Sequence, residues 1–115
     1  MKTRDQKIIK KIEASYKKFI QKARLESWEK NGFIQFKIAR NMEPWGMVIH
    51  RICVFYFFVN LKYLRKCPKL IDTVIGHEIA HIKTIMKGNL KQHGKVWQKE
   101  CLKLGILPLT AIPEP

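Results

Sequence analysis

Apolar residues in the first thirty positions recur at helical spacing. Ile8, Ile9, Ile12, Tyr16, Phe19, Ile20 and Ala23 form one stripe, with lysines opposite. The pattern predicts an amphipathic helix from about Asp5 to Glu29, stopped by Asn31-Gly32. The period then falls to two. In "FIQFKIAR" (33–40), Ile34, Phe36 and Ile38 point one way and Gln35, Lys37 and Ala39 the other, which predicts a strand. After a turn at 41–44, "WGMVIHRICVFYFFVN" (45–60) is β-branched and aromatic enough for two more strands, with the turn between them placed near His50 to Cys53. Pro68 suits the first turn of a helix. From there Leu70, Ile71, Val74, Ile75, Ile79, Ile82 and Ile85 restore a helical apolar face up to Gly88-Asn89. A last helix, about Lys95 to Leu104, ends at Gly105, and residues 108–115 form an irregular tail. The order helix, three strands, helix, helix predicts an α+β domain. Its N-terminal helix should lie on a small three-stranded antiparallel sheet, with the helix after Pro68 across it.

A chain of 115 residues holds one domain, 1–115, with its core at about 5–107. The 46% of hydrophobic residues is that of a globular protein. The charge changes the picture more: 23 Lys+Arg against 9 Asp+Glu leaves +14. A field of that size attracts polyanions, nucleic acid first among them; a lysine-coated surface with no such partner is the plainer alternative. Cys53, Cys67 and Cys101 are odd in number and form no CxxC pair. That excludes a zinc ribbon or a redox dithiol and fits free thiols in a reducing compartment. The N-terminus lacks the apolar run of a secretory signal. The longest apolar run, Ile52 to Val59, has eight residues and is too short for a spanning helix. These features predict an intracellular monomer, cytoplasmic or DNA-associated, with no membrane partner.

Three of the four histidines lie in "GHEIAHIKTIMKGNLKQHGKVWQKEC" (76–101). On a helix His77 and His81 share one face, so their imidazoles can converge on one ion. Glu78, beside the first of them, is placed to take a proton from an attacking water. This is the logic of HExxH on a helix, and the apolar setting "TVIGHEIAHIKTI" argues against two unpartnered surface histidines. A catalytic zinc needs a third protein ligand and an open position. His93, Glu100 and His50 are the candidates by residue type. Trp97 is expected to be a core aromatic that pins the last helix and orients His93. Asp72 is expected at the surface, and no spacing selects among Tyr16, Tyr56 and Tyr63 as an oxyanion stabiliser.

"HEIAH" followed by "HGKVWQKECLKLGI" resembles the SprT-like family of zinc metallopeptidases, which includes the Spartan-type DNA–protein crosslink proteases. Asn60 at a strand end, Pro68 opening the motif helix and Trp45-Gly46 at the start of a strand match as well; the resemblance covers about residues 30–107. A sister group, the YgjP-type or WLM metallopeptidases, shares several of these features but sets its third histidine closer to the second. The eleven residues between His81 and His93 favour the SprT-like pattern. The resemblance implies a zincin-like minimal metalloprotease domain with one Zn²⁺ held by His77, His81 and His93, and Glu78 as the catalytic base. It further implies hydrolysis of peptide bonds, with protein as substrate, DNA as a partner through the basic surface, and a part in DNA repair. Larger members carry a C-terminal zinc ribbon or binding tails, which are not seen before Pro115, so DNA contact is expected from the catalytic domain itself. The rival reading is a non-catalytic, basic nucleic-acid-binding protein whose zinc is structural, or a zincin-like domain that binds a partner without cutting it.

Overall fold

The computed structural model describes residues 2–89 and 91–109, with side chains from position 5 onward. Most of the tail predicted at 108–115 lies outside the described residues. Helix α1 (Lys2–Lys22) buries the predicted stripe: Ile8, Ile12, Tyr16, Phe19 and Ile20 are all core residues, while Lys7, Lys10, Lys11, Lys17, Lys18 and Lys22 are exposed. The single helix expected to run to Glu29 is broken. Arg24 adopts a left-handed backbone (φ 58°), and Leu25 N–H donates back to the Ile20 carbonyl at 2.9 Å. The cause is Leu25. It lies off the stripe, and only a turn in the chain brings it into the core, where it is 1% exposed. A short helix, α2 (Glu26–Lys30), follows and closes at Gly32, whose φ of 82° favours glycine.

Strands β1 (Ile34–Ala39), β2 (Gly46–Arg51) and β3 (Val54–Asn60) form one sheet in the order β1-β3-β2. The expected all-antiparallel sheet is corrected here. β2 and β3 make an antiparallel hairpin, with Met47 opposite Phe58, but β1 runs parallel to β3, with Ile34 opposite Phe55 and Ile38 opposite Val59. β3 takes the centre of this mixed sheet. Phe55, Phe57 and Val59 are buried on one face of β3, and Val54, Tyr56 and Phe58 are half-buried on the other. A strand apolar on both faces suits the buried centre of a sheet. The hairpin turns at Ile52 and Cys53, both at positive φ (45° and 67°), the handedness that matches strand twist.

Residues 40–45 carry the chain across the end of β3, and Asn60 holds them there. Its fully buried amide donates to the carbonyls of Met42 (2.8 Å) and Pro44 (3.1 Å), while its Oδ1 accepts from Tyr63 N–H at 3.1 Å. That last bond caps α3 (Leu61–Lys66), a helix the sequence pattern did not predict. A 3₁₀ turn at Pro68–Leu70 leads into α4 (Ile71–Met86), and α5 (Lys95–Lys103) completes the order. Helix α4 packs against α1, α5 and β2, and so carries its motif through the middle of the domain. Asp72 is half-exposed rather than free: Ser15 Oγ and Lys18 Nζ both donate to it at 2.6 Å, tying α1 to α4. The result is an α+β domain with five α-helices and a three-stranded mixed sheet among the described residues. No described helix is long and apolar enough to cross a membrane.

Candidate active site

The site forms where α4, the loop into α5 and β2 meet. Trp97, from the first turns of α5, is completely buried and lies among all three motif histidines. Its ring centroid is 5.2 Å from that of His77, 5.3 Å from His81 and 4.6 Å from His93. The indole Nε1–H donates to the His77 carbonyl at 3.2 Å, which locks α5 to α4. His93 sits just before α5 in a left-handed conformation (φ 60°), and that turn aims its ring back at α4. The His81 and His93 rings then stand 4.9 Å apart.

His77 behaves differently. Its ring is buried, and Nε2 lies 2.7 Å from the Leu107 carbonyl. A carbonyl only accepts, so this Nε2 carries a proton and donates it. Among the described residues, no three of His, Cys, Asp and Glu therefore close on a common metal position with the rings as they stand. The structure brings His81, His93 and Glu78 to one cleft and turns His77 towards the chain's last described segment.

Electrostatics favour the neutral imidazole that metals require. Burial lowers the pKa of His77, and burial together with the nearby His93 and His77 lowers that of His81 to about 4. Burial pushes the Glu78 carboxyl up to about 8. A buried acid whose pKa is raised on folding favours its protonated form, so its contribution to stability falls as pH rises from about 4.5 to about 8. A divalent cation nearby would return this carboxyl to its ionised form. Glu78 keeps its place because Gly46 opens β2. A β-carbon on Gly46 would lie 2.9 Å from Glu78 Cγ and 3.1 Å from its Oε2.

The cleft in front of these groups has a volume of about 420 Å³. Gly46, Met47 and Val48 of β2 form one wall, Glu78 and His81 the floor, and Gln92 and His93 the other side, with Lys91 on the rim. The other candidates fall elsewhere. Glu100 is buried and engaged by Lys87, with Lys103 at 3.5 Å. His50 is exposed on β2 and stacks on Phe55. Tyr16 stacks on Phe36 beneath α1, Tyr63 packs against Trp45, and none of the three tyrosines lines the cleft. Cys101 is buried, and burial with the nearby Glu100 and Glu78 raises its thiol to about 12, which leaves it unreactive. Sequence reasoning did not single out Gly46 as the residue that seats Glu78, although its glycine beside a strand start was the available signal. The Leu107 carbonyl had none, since a backbone carbonyl leaves no trace in residue type. In comparisons with known proteins, the chain matches no family model, no curated protein and no solved structure.

Proposed function

We propose that the protein is a zinc-dependent endopeptidase of the SprT-like, zincin type. The observation that carries the reading is the convergence of His81 and His93 with Glu78 on one open cleft bordered by an edge strand. His81 and His93 would hold the metal directly, and His77 would join them once its Nε2 leaves the Leu107 carbonyl. When bound, zinc supplies a Lewis acid that polarises the scissile carbonyl and activates water. The remaining work belongs to this chain. Glu78 takes the proton of the attacking water and passes it to the leaving amine. Trp97 fixes the relative placement of the three imidazoles. Among the described residues the outer edge of β2 is unpaired, and an extended substrate peptide can pair with it. A purely structural site would need neither the open cleft nor the carboxylate in it.

Nucleic acid enters the proposal through charge. The net +14 and the six exposed lysines among the described side chains of α1 suit phosphate contacts that bring DNA-associated protein substrates to the cleft. The test is cleavage of an unfolded protein substrate by zinc-loaded and chelator-treated protein, with and without single-stranded DNA, at low and high salt. Cleavage should need metal, and stimulation by DNA should fade as salt rises. About one zinc per chain should be recovered, His93→Ala should lose it, and His50→Ala should keep it. Metal-independent cleavage would refute the zinc mechanism, and no cleavage by the loaded protein would refute the enzyme reading. DNA stimulation that ignores salt would refute the electrostatic part alone.

A smaller prediction isolates Gly46. Alanine there drives its methyl into Glu78, and a displacement of about 1 Å costs on the order of 100-fold in rate. Gly46→Ala should therefore lower kcat about that much while zinc content stays the same. Unchanged kcat would show that Glu78 tolerates the shift.

A further inference from the structure

After α5, Gly105 takes a left-handed turn (φ 80°) and the chain doubles back across α4 as a strap. Two contacts seat it. Ile106, 9% exposed, presses into the notch at Gly76; a β-carbon there would lie 2.5 Å from Ile106 Cδ1, 3.1 Å from Cγ2 and 3.3 Å from Cγ1. The Leu107 carbonyl then accepts from His77 Nε2 at 2.7 Å. The leucines of the strap contribute little burial, with Leu107 68% and Leu109 45% exposed. Leu109 N–H donates to the same Leu107 carbonyl at 2.9 Å, which closes a tight turn around the group that faces His77.

Nε2 is the imidazole atom farthest from the helix backbone, and so the one that reaches a metal shared with His81. One nitrogen cannot both donate a proton to a carbonyl and give its lone pair to a cation. We propose that the C-terminal strap and the metal are alternative partners of His77, so that the docked strap is a built-in competitor which metal binding displaces. This rests on the metal reading above. The docked state lowers apparent affinity by the fraction of molecules in which His77 is free; a strap docked about 90% of the time weakens binding about tenfold. Zinc loading then reports on anything that lifts the strap.

Gly76→Ala tests this in the full-length chain. A methyl there meets three Ile106 carbons at once, so the seat of the strap is loosened even if the Cδ1 methyl rotates away. Alanine is also the better helix residue, so α4 is not weakened. Ile106→Ala removes the same anchor without altering α4. Zinc affinity is read by competition with a chromophoric chelator, and docking at His77 by the NMR signals of its ring nitrogens with and without zinc, since Nε2 is protonated when it donates to the Leu107 carbonyl. Both variants should bind zinc about tenfold more tightly than wild type, and zinc should remove the proton from His77 Nε2 in the wild type. Equal or weaker binding by the variants, or an Nε2 that stays protonated in zinc, would overturn the proposal. That outcome is the one expected if the Leu107 carbonyl instead orients His77 for ligation through Nδ1. If His77→Ala binds zinc as wild type does, His77 is not a ligand. The metal assignment then fails, and the competition with it.

Discussion

Glu78→Gln is expected to keep its zinc and to lose peptide hydrolysis by about 10²–10⁴-fold, the span over which a positioned acid–base group acts. Glutamine has the size and hydrogen-bonding reach of glutamate but cannot accept a proton. The substitution therefore separates chemistry from architecture. Glu78 lies in the cleft beside His81, seated against Gly46, and burial holds its carboxyl well above the ordinary range. A neutral amide in that apolar seat removes the cost of burying charge, so the metal-free variant should be at least as stable as the wild type above neutral pH. The measurements are kcat on an unfolded protein substrate, zinc per chain, and thermal midpoint at pH 6 and pH 8. Wild-type cleavage by the glutamine variant would remove Glu78 from the mechanism. Lost cleavage together with lost zinc would make it part of the metal's support instead.

Trp97→Ala should cost more in stability than any other single truncation near the site. Removing a fully buried large aromatic costs about 3–5 kcal/mol, against a total stability of roughly 5–15 kcal/mol for a domain. The indole also carries the hydrogen bond from α5 to the His77 carbonyl and touches all three imidazoles. Its loss should free α5 from α4 and let His93 swing away from His81. Two readouts should move together: a drop in the midpoint of chemical unfolding and a weakening of zinc binding. Trp97→Phe refills much of the cavity but drops the Nε1–H bond, so it should recover part of the stability and less of the affinity. An alanine variant with wild-type zinc affinity would show that α5 is placed by other contacts, such as those of Cys101 and Leu104.

Much of this was visible along the chain, for reasons that also explain what was not. The stripe of α1, the alternation of β1 and the apolar face of α4 are local periodicities, and each is decided by which face meets the core. The cluster of histidines is likewise local, because a helix turn brings His77 and His81 together without reference to the rest of the fold. Most of the misses are choices between distant partners. Alternation shows which side of β1 is buried, but not that its neighbour is β3 running in the same direction. The helix expected over α1 runs past Ala23 to Glu29, and only the pull of Leu25 towards the core ends it earlier. Helix α3 is too short to show a period and depends on the Asn60 cap. The direction of the His77 ring is set by a carbonyl thirty residues away. Sequence put the histidines in one neighbourhood; tertiary packing chose which nitrogens face each other.

Among the described residues, both outer edges of the sheet are left unpaired, β1 on one side and β2 on the other. Open edges are templates on which copies of a chain can stack. Here the safeguard is colloidal. Lys37 stands exposed on β1, His50 and Arg51 on the tip of β2, and the chain as a whole carries +14, so two copies repel before their edges meet. That repulsion is spent when salt or a polyanion screens it. The protein should then be least soluble near charge balance with nucleic acid, and a concentrated stock is best kept free of it.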